Sequence, residues 1–285
     1  MDESGVRLAP TPRGPVNAQR KTPDDPPDPR LKEDVLQLSS EIPLERIQAD
    51  NRLKQAGADG ILAVAAFLND PAAEPLKLIE ALRFIASADF NELDSAQAST
   101  AREAMALCLL HQDATVRVQA ARALQVHGPG AQRTVFLTAI GDPERRVRWA
   151  VVRRYSDHPA ELDEVQRSIL LAYLDAGTRT EFSLADLDGD ERLSPREFKG
   201  TAEAFARLDR DGDGAVSLEE WTSPVPAEVR ADVVALLLRI HAKLTPGLKP
   251  DGYNPWLPSS DQLDIVSRWK AWNERVSDRT PAERE

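Results

Sequence analysis

A helix, a glycine stop, a second apolar helix and an Asp-Pro recur along this chain, and that recurrence limits the fold more than any other feature. Residues 49–71, "ADNRLKQAGADGILAVAAFLNDP", align with residues 120–143, "AARALQVHGPGAQRTVFLTAIGDP". Gly57 falls on Gly128, Leu53 on Leu124, and Asp70-Pro71 on Asp142-Pro143. Glycine ends a helix by taking a positive φ, and Asp-Pro is suited to cap and open the next one. Further helices match in register: "LKLIEALRF" from Leu76, "VRVQAARAL" from Val116 and "VRWAVVRRY" from Val147. Helical periodicity runs from about Leu31 to Gly177, and self-similarity of this kind reads as stacked helical hairpins. Composition agrees. Aromatic residues make up only 5% of the chain, and alanine and leucine supply much of its apolar content, which favours packed helices over sheets.

Residues 43–176 resemble HEAT-like repeats of the PBS-lyase type, in about four hairpins. The resemblance implies an α-solenoid with a protein-binding groove and names no partner. The expected fold class is therefore all-α. Residues 1–30 hold seven of the 21 prolines and few apolar residues, so they are expected to form a disordered tail, with partner binding by that tail as the alternative. Helical repeats are expected over 31–177, a compact loop pair over 178–222, a C-terminal helical cap over 223–276 and a charged tail over 277–285.

The second constraint is charge. The chain carries −11 overall, and residues 186–197 and 209–220 hold −3 and −4 of it. The remainder is a near-neutral body, so nucleic acid is not an expected partner. In "DRDGDGAVSLEE", Asp209, Asp211, Asp213, Ala215, Ser217 and Glu220 stand at positions 1, 3, 5, 7, 9 and 12, with Gly214 at position 6, which resembles the EF-hand calcium pattern D-x-[DN]-x-[DN]-G-x5-E and implies the ligand roles that follow. Three aspartates two apart can wrap oxygens around a hard cation that takes six to eight of them. The glycine permits the bend, the Ala215 carbonyl adds a ligand, Ser217 offers its oxygen or holds a water, and Glu220 binds with both oxygens. A second copy, "DLDGDERLSPRE", puts Asp186, Asp188, Asp190, Arg192 (by its carbonyl), Ser194 and Glu197 at the same six positions. Here Glu191 replaces the bend glycine, at a cost of about 1 kcal/mol or more. Two Ca2+ sites are expected, with loop 209–220 stronger and loop 186–197 weaker.

These loops resemble a paired EF-hand of the kind found in bacterial proteins, in which Leu193 and Val216 would meet in a short β-bridge. Only "FKGTAEAFARL" joins the two loops. A turn near Gly200 and one helix of about two turns, ending at Leu208, are expected there. So compact a pair favours a structural or buffering role over a large switch.

Beyond the loops, "PAEVRADVVALLLRIHAKL" reads as a helix with Val229, Val233, Leu236, Leu237, Ile240 and Leu244 on one face. A last helix carries Ile265, Trp269, Trp272 and Val276 on one face, with Ser259 and Gln262 at capping-box spacing. It is expected to cap the repeats; a partner-binding helix is the alternative. The arginines of "ERRVRWAVVRR" form either a basic patch for an acidic partner or a solvated face paired between neighbouring repeats. The second is the commoner fate of such faces.

No catalytic constellation is visible. His111, His127, His158 and His241 lack zinc spacing, and Cys108 lies in the apolar run "MALCLL", where a buried inert thiol is usual. The expected function is a non-enzymatic, calcium-binding scaffold that engages another protein on the repeat surface. The alternative is a HEAT-like lyase or enzyme-associated subunit with calcium as a structural ion. No run of 18 apolar residues exists, so no transmembrane segment is expected. The N-terminus lacks the apolar stretch of a signal peptide, which favours the cytoplasm, with the periplasm or exterior open if the start is incomplete.

Overall fold

Fourteen α-helices and one two-stranded ribbon build the described part of the chain. The computed structural model describes residues 29–175, 179–222, 225–246 and 252–277. The expected tails therefore lie outside the described residues over 1–28 and 278–285. The helices are α1 Pro29–Gln37, α2 Pro43–Gln55, α3 Ala58–Leu68, α4 Pro75–Ser87, α5 Ser95–Leu107, α6 Ala114–His127 and α7 Arg133–Thr138. They continue with α8 Arg145–Asp157, α9 Glu164–Ala172, α10 Arg179–Ala185, α11 Ala202–Leu208, α12 Leu218–Thr222, α13 Ala227–Leu244 and α14 Leu263–Ser277. The ribbon pairs β1, Arg192–Leu193, with β2, Val216–Ser217. The expected all-α class holds. Among the described residues no helix is long and apolar enough to cross a membrane.

The helices start where their caps dictate. Asp94 accepts from the Gln97 amide at 2.8 Å while the Gln97 side chain accepts from the Asp94 amide at 3.0 Å. The same reciprocal box, Asp163 with Gln166, opens α9; each satisfies two otherwise orphaned backbone donors. The Asp-Pro pairs behave differently from expectation. Asp70 and Asp142 turn back on the Ala72 and Glu144 amides, at 2.9 and 2.8 Å. Helices α4 and α8 open later, behind Glu74 and Glu144. A short carboxylate that closes a local turn competes with the helix for the same backbone donors. Helix α1 likewise begins at Pro29, inside the expected tail, because Leu31 and Val35 are buried against the helices that follow.

Packing follows two successions. Helices α4, α6, α8 and α13 touch in order, and α3 touches α5, α7 touches α9, and α9 touches α14. Fully buried alanines, among them Ala101, Ala104, Ala120, Ala121 and Ala123, let these helices approach closely. One apolar core runs from Leu31 to Val276. The stripe of α13 is buried from Val229 to Ile240, and Trp269, Trp272 and Val276 of α14 bury as expected. The expected box between Ser259 and Gln262 does not form. Ser259 bonds the Tyr253 hydroxyl at 2.7 Å, and Gln262 bonds both backbone groups of Asn254, at 2.6 and 2.8 Å. Both side chains hold the preceding loop, and a 3-10 turn leads into the helix.

A register unread in the sequence appears at α13. "VRADVV" from Val229 repeats "VRWAVV" from Val147. Arg117 donates to the His111 and Gln112 carbonyls at 2.9 and 3.0 Å, and Arg148 to those of Asp142 and Pro143 at 3.0 and 3.1 Å. Arg230 does the same to the Val225 carbonyl. The α8 arginines are mostly paired: Arg146 with Glu144, Arg154 with Glu161, and Arg148 with Asp232 of α13 at 2.7 Å. Arg153 lies over the exposed Trp149 ring, 5.9 Å from its centroid.

Candidate metal centre

Residues 179–222 have a core of their own. Phe182, Leu193 and Val216 are buried together, with Phe205, Leu208, Leu218 and Trp221 packed on them. Leu193 faces Val216 and Arg192 faces Ser217 in the antiparallel ribbon, the expected bridge. Gly200 lies in the turn before α11, which ends at Leu208 as its length requires. Thr201 caps that helix through the Ala204 amide at 3.2 Å. A groove of about 660 Å³ opens beside this unit, lined by Leu184, Leu193, Phe198, Leu208 and Trp221.

The two loops carry the same internal hydrogen bonds. The position-6 amide donates to the position-1 carboxylate: Gly214 to Asp209 at 3.1 Å and Glu191 to Asp186 at 3.0 Å. The position-5 amides of Asp213 and Asp190 donate to Asp211 and Asp188, at 3.1 and 3.2 Å. The position-7 amides of Ala215 and Arg192 donate to Asp213 and Asp190, both at 2.9 Å. These turns fold the carboxylates inward. Asp209, Asp211 and Asp213 each offer an oxygen within 4.8 Å of the others, and so do Asp186, Asp188 and Asp190. Glu191 has a φ of 62°, and it alone among the described non-glycine residues is positive. Its expected strain is present.

The position-12 glutamates close the loops from below. Glu220 is buried and accepts from the amides of Arg210 and Ser217, at 2.8 and 2.9 Å, and from the Ser217 hydroxyl at 2.8 Å. Glu197 is buried likewise, taking the Leu187 amide at 3.1 Å and the Ser194 amide and hydroxyl at 2.9 and 2.7 Å. Burial pushes the Glu220 carboxyl up, but the donors of Ser217, Arg210 and Asp211 outweigh it and hold the group below its ordinary range. The Ser194 hydroxyl and amide do the same for Glu197. The serines thus orient the glutamates, a role the sequence reading did not assign. "SLEE" and "SPRE" carry the S-x-x-E capping signature that could have shown it.

The donor set fits a hard cation. The Asp209 Oδ1 atom is buried and accepts no hydrogen bond, which is costly unless a positive partner fills the space. Its counterpart in the other loop, Asp186 Oδ1, accepts from the Gly189 amide at 2.8 Å. The Asp190 amide draws the Asp188 carboxyl down, but loss of some hydration and the charges of Asp190, Glu197 and Asp186 outweigh it and leave the group above its usual range. Closely set carboxylates disfavour one another's charge in this way. Oxygen ligands in this number suit calcium rather than a softer metal.

A family model described as EF hand matches residues 202–225. The match takes in loop 209–220 with its entering and exiting helices, and loop 186–197 lies outside it. No curated protein matches the chain. No solved structure matches it either. The match suggests calcium binding at loop 209–220, and a second acidic cluster of the same form lies at 186–190.

Other candidate groups do not converge. Among the described residues, groups of three or more metal-ligand side chains occur only at these two loops. The His111 ring accepts from the Asp113 amide at 3.0 Å, and His127 Nε2 lies 2.8 Å from the Ile85 carbonyl. Cys108 is buried, and burial pushes its thiol up to about 11, which disfavours the nucleophilic thiolate at neutral pH.

Proposed function

We propose that the chain is a non-enzymatic, calcium-binding interaction protein: an EF-hand pair inserted into a HEAT-like helical array whose surface engages another protein. The observation that carries the calcium half is the buried, unpartnered Asp209 Oδ1 facing two further carboxylates. Asp209, Asp211, Asp213, the Ala215 carbonyl, Ser217 and Glu220 would hold one ion, and Asp186, Asp188, Asp190, the Arg192 carbonyl, Ser194 and Glu197 the other. Bound calcium would supply the positive charge that lets each set of carboxylates stay ionised together. The chain's own part is to aim the glutamates through Ser194 and Ser217 and to hold the bends at Glu191 and Gly214.

The array half is supported by the common register of Val116-Arg117, Val147-Arg148 and Val229-Arg230. It is supported equally by the arginine-to-carbonyl bonds that all three arginines make. On this reading α13 is the helix that follows α8 in the repeat, and residues 179–222 interrupt the array between α9 and α13. Trp149 with Arg153 on α8 is the surface best suited to a partner, since exposed tryptophan and arginine are the residues that anchor interfaces. Calorimetry on the calcium-free full chain tests the reading, joined to a pull-down with Trp149→Ala as its control. Two calcium-binding events and a partner lost on substitution are the expected results. No heat at millimolar calcium sinks the calcium half, and capture indifferent to Trp149 sinks the assigned surface.

A further inference from the structure

The two loops touch at a ligand. In the β1–β2 ribbon Arg192 stands opposite Ser217. From there its guanidinium crosses into the other loop and pairs with Asp213 Oδ2. The second oxygen of Asp213 already takes the Ala215 amide at 2.9 Å. Both oxygens of this position-5 carboxylate are therefore engaged by the chain itself. The contact has no mirror image. Ala215 holds the place in loop 209–220 that Arg192 holds in loop 186–197, and its methyl group cannot reach back to Asp190.

We propose that Arg192 sets the calcium affinity of loop 209–220 by holding Asp213 in competition with the ion. This rests on the reading of that loop as a calcium site. A guanidinium and a calcium ion seek the same electron pairs on the same carboxylate, and two cations do not share it freely. Calcium must therefore draw Asp213 away from Arg192 or accept it with a weakened hold. The cost is bounded by where the pair sits. The Arg192 and Asp213 side chains are 47% and 40% exposed, and an exposed pair of this kind shifts an equilibrium by up to about fivefold. Salt screens such a pair, so the restraint should fade as ionic strength rises.

The contact also opposes the backbone. Loop 209–220 has glycine at its bend, and loop 186–197 has Glu191 there at positive φ. Left to the backbone alone, the gap between the two affinities would be wide. The arginine comes from the strained loop and restrains the relaxed one, so it narrows that gap.

The test is a site-resolved calcium titration of the full chain by amide NMR. Gly214 reports one loop and Glu191 the other, because each amide hydrogen-bonds the first carboxylate of its own loop. Wild type is compared with Arg192→Ala, Arg192→Gln and Arg210→Ala. Arg210 is exposed and lies in loop 209–220 itself, so its removal subtracts the same charge without touching Asp213. Both Arg192 variants should tighten loop 209–220 by about two- to fivefold at low salt. Arg210→Ala should do less, and the Arg192 effect should shrink in high salt. An equal effect from Arg210→Ala means only the general field acts and overturns the proposal. Weaker binding in the Arg192 variants also overturns it, since Arg192 would then be organising the loop. If the wild type shows no calcium-dependent shift at either amide, the calcium reading falls and the proposal falls with it.

Discussion

Glu191 is where local chemistry and backbone geometry disagree most. Its amide makes the bond that the bend requires, to Asp186 at 3.0 Å, yet its φ of 62° suits glycine. Nothing lies within 4 Å of a side chain built at the matching Gly214, so conformation rather than space decides what these positions tolerate. Glu191→Gly should therefore tighten loop 186–197 by about 1 kcal/mol, roughly fivefold. The effect falls on affinity to the extent that repulsion among the carboxylates lets the calcium-free loop leave the bend that the bound loop needs. Separate calorimetric fits of the two sites check it, and an unchanged weaker site would show that the strain is carried in both states. The acidic clusters were legible in the sequence because each is spelled within a single twelve-residue stretch. The Arg192–Asp213 contact was not, because it depends on a ribbon register that joins residues 21 apart.

At the scale of elements, Trp221 links a loop to its exiting helix. It follows Glu220 directly in α12, and its ring meets Phe182 and Phe198 edge-on, each with centroids 6.3 Å apart. Calcium drawn onto Glu220 should fix the start of α12 and change the surroundings of that indole. Trp269 and Trp272 are buried in α14 and Trp149 is exposed on α8, so they should respond less. Trp221→Phe should remove most of the calcium-induced change in emission and leave affinity nearly intact. Glu220→Gln should weaken loop 209–220 by removing a charged ligand. Full retention of the signal in Trp221→Phe would place the response outside this unit. Apolar periodicity made α13 and α14 readable, because burial on one face is written at every third or fourth residue. Helix starts were harder to read. Asp70 and Asp142 bear the residue type of a cap, yet each closes a turn two to four residues too early.

At the scale of the molecule, the interruption of the proposed array explains what the sequence concealed. Val229-Arg230 stands 82 residues after Val147-Arg148, against 31 from Val116-Arg117 to Val147-Arg148, too far for the repeat to be noticed. The segments that flank residues 179–222 make contacts that involve no loop carboxylate. Lys270 of α14 grips Asp175 at 2.7 and 2.9 Å, and Arg230 of α13 holds the Val225 carbonyl. Helix α13 docks on α8 through the Arg148–Asp232 pair, whose arginine is 6% exposed. A pair this well covered, also tied to two backbone carbonyls, should show a coupling of about 1–2 kcal/mol in a double-mutant cycle. The cycle uses Arg148→Ala, Asp232→Ala and both together in the full chain, measured by denaturant unfolding with and without calcium. If calcium acts only within residues 179–222, the coupling is the same in both conditions. Hydrogen exchange should then slow with calcium in the loops and in α12, while amides of α8 and α13 keep their rates. A coupling that disappears in the calcium-free protein would mean that the ion governs the docking of α13. The insert would then be a switch acting on the array rather than a calcium-holding unit carried by it.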